Sequence, residues 1–256
     1  MKTAIRSFVL FASVAGLSAA SLAQSDAAAR DAAVRYDQPT QQAVVQKLSS
    51  KSQFKSVNAS VQEGIVTLTG TVHLYQAKLD AAGKVRKMDH VQGVRNLITV
   101  DGEPIPDQRL QADLNRKLKL DRIGYFDNTF NYITVAVKDG VVSVDGETAS
   151  YPARDSALAL VQRSEGVKDV VNNIKMLPNS LFDDSIRRAA VRELYGDSVL
   201  GRYASDPAHP IRIIVENGHI SLYGTVEREM DKNIAGVRAS GVEGAFSVQN
   251  NLVVSR

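Results

Sequence analysis

Val57 to Gly70 reads VNASVQEGIVTLTG, and the same form returns as ITVAVKDGVVSVDG at Ile133 to Gly146 and as IRIIVENGHISLYG at Ile211 to Gly224. Apolar residues alternate ahead of a central dipeptide in each: Val57, Ala59 and Val61; Ile133, Val135 and Val137; Ile211, Ile213 and Val215. They resume behind it as Val66 and Leu68, Val142 and Val144, and Ile220 and Leu222. A period of two places each set on one face of a half-buried strand. The dipeptides Glu63-Gly64, Asp139-Gly140 and Asn217-Gly218 suit the positive φ of a tight hairpin turn. Six residues beyond each turn glycine stands another, Gly70, Gly146 or Gly224. The shared pattern, V-x-[EDN]-G-x-[VI]-x-[LV]-x-G, recurs at intervals of 76 and 78 residues. One such hairpin is common; three in register across most of a chain define a repeat.

The flanks repeat as well. Helices are expected at Tyr75–His90, Pro152–Ser164 and Arg228–Ser240. Their apolar stripes are Leu74, Ala77, Ala81, Val85 and Met88; Ala153, Ala157, Leu160 and Val161; and Met230, Ile234 and Val237, spaced for one helical face. Pro152 suits a first helical turn. Each helix is expected to end near a glycine (Gly93, Gly166, Gly244) and to lead into a short strand, Leu97–Val100, Val170–Ile174 or Val248–Leu252. Copies two and three share V-[VQ]-N-N-[IL] there. Copy one lacks the double Asn and has three extra residues between Gly70 and Gly93. Copy three carries an insertion-like stretch at Tyr203–Pro210.

A further amphipathic helix precedes each hairpin. Val44 and Leu48 mark the first, with Thr40 as its cap; Leu110, Leu114 and Leu118 mark the second; Ile186, Ala190 and Leu194 mark the third, capped by Asp183 or Asp184. Each unit therefore reads αββαβ, small but within the range of autonomous domains. The fold class is α+β, with tandem domains at 40–101, 108–178 and 183–256. DGEPIPD (Asp101–Asp107) and LPNSLF (Leu177–Phe182) are read as linkers.

The N-terminus reads as an export signal over residues 1–23. Lys2 and Arg6 precede an apolar, small-residue run from Phe8 to Ala23, and Ser21-Leu22-Ala23 supplies small residues at a cleavage site. Residues 24–39 read as a mobile, Ala-rich leader. The mature protein is expected to be periplasmic. Removing Lys2 and Arg6 with the signal lowers the net charge from +3 to +1, which argues against phosphate-driven binding of nucleic acid. The absence of cysteine excludes disulfides, Cys–zinc sites, thiol nucleophiles and a lipidated N-terminal cysteine.

The ordered pattern of helix, V-x-[DEN]-G-x-V-x-L-x-G, helix, and G-V-x-x-V-x-N-x-[IL]-x-V resembles the BON domain, in three copies over about 40–255. The hairpin motif is its specific part. The resemblance implies a mixed three-stranded sheet backed by two helices. It also implies an envelope protein that associates with phospholipid, commonly in osmotic or envelope stress, and it carries no active-site motif.

The residues agree on catalysis. His73, His90, His209 and His219 show no metal-ligand spacing, and no HExxH, G-x-S-x-G or P-loop occurs. No enzyme activity, metal or cofactor is expected. Lipid contact asks for cations beside apolar or aromatic groups. Copy one (41–100) carries 8 basic and 3 acidic residues, copy two (109–178) 10 and 9, and copy three (183–256) 9 and 10. One candidate surface is in copy two: Arg109, Arg116, Lys119 and Arg122 with Tyr125 and Phe126, where Tyr125–Tyr132 reads YFDNTFNY. The other is Lys78, Lys84, Arg86 and Lys87 in copy one. The expected partner is a phospholipid membrane surface, contacted peripherally. The alternative is a scaffold or chaperone-like factor that binds envelope proteins.

Overall fold

The computed structural model describes residues 34–121, 128–205 and 210–255. The export signal and most of the expected leader lie outside the described residues. The chain forms two compact units: one takes in 34–70 and 80–98, the other 71–79 and everything described from 99 onward.

Copy one opens with helix α1 (34–49), followed by β1 (Val57–Gln62), β2 (Ile65–Val72), α2 (Tyr75–Val85), β3 (Gly93–Asn96) and β4 (Thr99–Val100). In the first unit β1 and β2 are antiparallel, with Val57 opposite Gly70 and Gln62 opposite Ile65. Strand β3 joins β2 in parallel, Ile65 opposite Gly93. In the second unit the end of β2 pairs with β4, Thr71 opposite Thr99.

Copy two consists of α3 (Asp107–Lys119), β5 (Asn131–Lys138), β6 (Val141–Thr148), α4 (Tyr151–Gln162) and β7 (Asp169–Met176). Its sheet order is β5-β6-β7, antiparallel and then parallel. Its core joins Leu110, Leu114, Val135, Val142, Val144 and Val161. Copy three consists of α5 (Leu181–Tyr195), α6 (Gly201–Ser205), β8 (Arg212–Glu216), β9 (His219–Tyr223), β10 (Thr225–Val226), α7 (Glu229–Ser240), β11 (Ser247–Asn250) and β12 (Val253–Val254). Strand β9 lies between β8 and β11, and β10 pairs with β12. The αββαβ order and the mixed sheets are as the pattern predicts.

Each hairpin turn is held from both sides by the same device. Glu63-Gly64, Asp139-Gly140 and Asn217-Gly218 all have positive φ at both positions. An aspartate on the preceding helix accepts both turn N–H groups: Asp37 from Glu63 and Gly64, each at 2.8 Å; Asp107 from Asp139 and Gly140, at 2.6 and 3.0 Å; Asp183 from Asn217 and Gly218, at 3.0 and 2.8 Å. The turn glycine's carbonyl in turn accepts from the residue just before the third strand: Gln92, Lys168 or Phe246. Four residues on from the aspartate, the helix reaches the outer edge of the first strand. Gln41 accepts from Val61 N–H and Gln111 from Val137 N–H, while Arg187 donates to the Val215 carbonyl at 2.7 Å. These bonds occupy groups that an edge strand would otherwise offer to another chain.

The device corrects several expectations. Thr40 does not cap α1; the helix already covers 34–39, part of the expected leader, because Asp37 must lie within it to meet the turn. Neither Asp183 nor Asp184 caps α5. Ser180 does, accepting from Asp183 N–H at 3.1 Å, which leaves the buried Asp183 carboxylate for the turn. Helix α2 ends at Val85 rather than His90. His90 has φ +60 and sits 26 residues after Gly64, as Gly166 and Gly244, with φ +81 and +86, sit 26 residues after Gly140 and Gly218. His90, not Gly93, is thus the counterpart of those glycines, and the three extra residues of copy one disappear. In α7, Met230 and Val237 are exposed at 65% and 73%, and Asp231, Ala235 and Ala239 are buried instead. A polar residue occupies the inner stripe because Tyr203 of α6 donates to Asp231 at 2.7 Å and Arg202 bonds the same carboxylate. Burial pushes the Asp231 carboxyl up, but the Tyr203 hydroxyl and the guanidinium groups of Arg202 and Arg228 outweigh it and hold the pKa below the usual range.

Candidate functional site

Helix α3 is amphipathic in the expected sense. Leu110 and Leu114 are buried and Leu118 half-buried, while Arg109, Arg116 and Lys119 are exposed. Arg116 pairs with Asp113 at 2.8 Å on the surface, an interaction weak enough to exchange for another anion. Lys117 is turned elsewhere: its amine donates to Ser164 Oγ at 2.9 Å, tying α3 to the end of α4. Arg122, Tyr125 and Phe126 lie outside the described residues. Two other aromatics of that stretch are engaged by copy three. Phe130 packs against its core, and the Tyr132 ring stacks on Tyr223 with centroids 4.0 Å apart and planes 7° off parallel. They join copies two and three, together with Lys175, whose amine reaches Glu216 at 2.5 Å.

On the copy-one candidate surface, Lys84 lies in the last turn of α2, and Arg86 and Lys87 follow its end, all three exposed. Lys78 is half-buried, its amine 5.8 Å from the centroid of the Tyr75 ring. Tyr75 is buried among the copy-two core residues. Its hydroxyl is pushed up to about 12, by burial first and then by the charge of Asp169.

Beside α3 lies a cleft of about 200 Å³ between copies two and three. Lys119 and Asn115 line it from α3, Asn131 from β5, Ala157 from α4 and Arg212 from β8. Sequence reasoning missed Asn131 and Arg212. A charged residue at an outward strand position and an Asn beside a turn are unremarkable in sequence, and only the packing of copy three on copy two brings them together. Among the described residues there is no group of three or more His and carboxylates able to hold a metal ion, and no helix long and apolar enough to cross a membrane.

The chain resembles known proteins to different degrees. An uncharacterized protein in the gshII 5′ region of Anaplasma centrale is 27% identical over 131 residues, covering 50% of this chain and 86% of that one. Among solved structures, CdsD, a structural protein of the type III secretion system of Chlamydia trachomatis, is 16% identical with a TM-score of 0.25, covering 84% of this chain and 90% of that one. The PrgH periplasmic domain of S. typhimurium is 11% identical with a TM-score of 0.18, covering 78% and 95%. The BON domain family model matches residues 36–102, 106–178 and 183–256. Those three matches take in each turn with its anchoring aspartate, and the chain belongs to the BON domain family.

Proposed function

We propose that this protein is an exported, non-catalytic envelope protein that attaches reversibly to anionic phospholipid through the cationic face of α3, in protection against osmotic or envelope stress. The family associates with phospholipid in general. The observation that carries the reading for this chain is the outward set Arg109, Arg116 and Lys119 opposite buried Leu110 and Leu114. Lys84, Arg86 and Lys87 form a second cationic surface. Each cation near an anionic surface contributes about 1 kcal/mol, so three to six give an attachment that salt reverses. Flotation with vesicles containing phosphatidylglycerol tests the reading. The full chain should float at low ionic strength, and the Arg109→Glu/Arg116→Glu double variant should float several-fold less. Failure of the parent chain to float at low salt, or flotation equal on purely zwitterionic vesicles, overturns it.

A second reading, a protein-binding scaffold, is favoured by one observation. Leu181 is 89% exposed, and the neighbouring exposed rings of Phe182 and Phe246 meet at 5.7 Å. An exposed apolar cluster of this kind suits a partner protein. Crosslinking and recovery of one dominant envelope protein, lost in Phe182→Ser, would support it.

A further inference from the structure

The three hairpin turns share one geometry and one anchor but differ in chemistry. Their first residues are Glu63, Asp139 and Asn217, each followed by glycine. Asn217-Gly218 is the one Asn-Gly dipeptide in the chain. In such a dipeptide the glycine nitrogen can attack the asparagine side chain, because no Cβ on the following residue hinders the approach. The N–Cγ bond forms, the bond from Cγ to the side-chain nitrogen breaks, and ammonia leaves with the glycine N–H proton. Water then opens the succinimide at either carbonyl, to aspartate or to isoaspartate. An ionised aspartate is a poorer electrophile, and a glutamate would have to close a six-membered ring. Copy three therefore carries the reactive form of a turn that copies one and two carry in slower forms.

The fold closes this route at the nucleophile. Gly218 is buried, and its N–H donates to Asp183 Oδ1 at 2.8 Å, while the Asn217 N–H donates to Oδ2 at 3.0 Å. An amide nitrogen attacks only as it gives up its proton, and a carboxylate beside it opposes the negative charge that develops there. The φ values of +51 and +80 put both residues in the left-handed region, as in a type I′ turn. The two bonds to one carboxylate hold them there, so the Gly218 nitrogen cannot swing towards Asn217 Cγ. The Phe246 ring also covers Gly218, where a Cβ would lie 2.7 Å from it. Asn217 itself is exposed, so the water that the second step needs is at hand.

We infer that Asn217 is a latent deamidation site held closed by Asp183, and that its conversion to isoaspartate disconnects α5 from the hairpin of copy three. Aspartate at 217 keeps the turn, since Asp139 and Gly140 donate to Asp107 at 2.6 and 3.0 Å in the same arrangement. Isoaspartate inserts the former side-chain carbon into the backbone, and the two N–H groups no longer converge on one carboxylate. Local opening of α5 away from the turn therefore sets the rate of the modification.

Peptide mapping by mass spectrometry of the full chain, aged in mildly alkaline buffer, tests the inference. The chain denatured in guanidinium chloride supplies the unprotected rate. At Asn217 the folded parent should deamidate at least a hundredfold more slowly than the denatured chain, and Asp183→Ala at least tenfold faster than the folded parent. Asp183→Asn keeps one acceptor oxygen and no charge; it should fall between the two and serves if the alanine variant does not fold. Leu252→Ala weakens the core of copy three without touching the turn and should stay within threefold of the parent. The isoaspartyl product, separated by chromatography, should lose hydrogen-exchange protection at Gly218, whereas Asn217→Asp should keep it. A folded parent that reacts as fast as the denatured chain overturns the inference, as do Asp183 variants no faster than the parent. Equal acceleration in Leu252→Ala, or full protection of Gly218 in the isoaspartyl product, overturns it too.

Discussion

The Asp183 carboxylate, buried to 1% exposure in the first turn of α5, accepts the N–H of Gly218 at 2.8 Å across 35 residues of chain. Its other oxygen accepts from Asn217 at 3.0 Å. One side chain thereby fixes the position of the helix on the hairpin and the conformation of the turn. Asp183→Ala leaves two turn donors without an acceptor, and a destabilisation of about 3 kcal/mol is expected in chemical denaturation. The equivalent Asp107→Ala, at a half-buried site, should cost about 1 kcal/mol. Equal, negligible losses at both positions would refute the anchoring role.

The glycines that close the hairpin motif are a second case. A Cβ on Gly146 would lie 1.9 Å from the Tyr132 carbonyl oxygen, at φ +127. Gly146→Ala should therefore destabilise copy two by about 3 kcal/mol or more. A Cβ on Gly83, within α2, would meet nothing within 4 Å. Gly83→Ala should stabilise by about 0.5–1 kcal/mol. Thermal denaturation of the two variants should move the midpoint in opposite directions.

Copies two and three should unfold as one cooperative block. The Tyr132–Tyr223 stack joins them, and offset aromatic pairs are worth about 0.5–1.5 kcal/mol beyond burial. A double-mutant cycle with Tyr132→Ala and Tyr223→Ala should give a coupling energy in that range. Zero coupling would mean that the stack does not hold the two copies together in solution.

Tyr75 sets an alkaline limit. Its folded pKa of about 12 lies above the unfolded value of 10.0. The protonated phenol is the form that the fold favours, so the stabilisation is complete below pH 10 and is lost as the pH rises from 10 towards 12. The loss is on the order of 2 kcal/mol. Stability curves between pH 9 and 12 should fall more steeply for the parent than for Tyr75→Phe; parallel curves would exclude the contribution.

Legibility divides along a physical line. The three hairpins, their turn residues and the αββαβ order can be read in the sequence, because period-two alternation and positive-φ dipeptides are local. The asparagine of the third strand is legible too. Asn96, Asn172 and Asn250 each accept the N–H two residues on, from Ile98, Ile174 and Leu252, so copy one keeps the essential Asn and lacks only its exposed neighbour. The role of His90 is hidden, because histidine in the left-handed region leaves no mark in sequence. The cationic face of α3 is visible as spacing around Leu110 and Leu114.

Long-range placement is not legible. Nothing local distinguishes an aspartate that caps its own helix from Asp183, which reaches a turn 35 residues away. Nothing marks Asp231 as buried until Tyr203 and Arg202 arrive to pair with it, and the cleft lined by Asn131 and Arg212 exists only where two repeats meet. The sequence alone determined the repeating unit and its strand faces, since backbone conformation and hydrophobic alternation are set by near neighbours. The tertiary structure decided which polar groups are anchors and which aromatics join domains, since burial and pairing depend on residues that only folding brings within about 3 Å of one another.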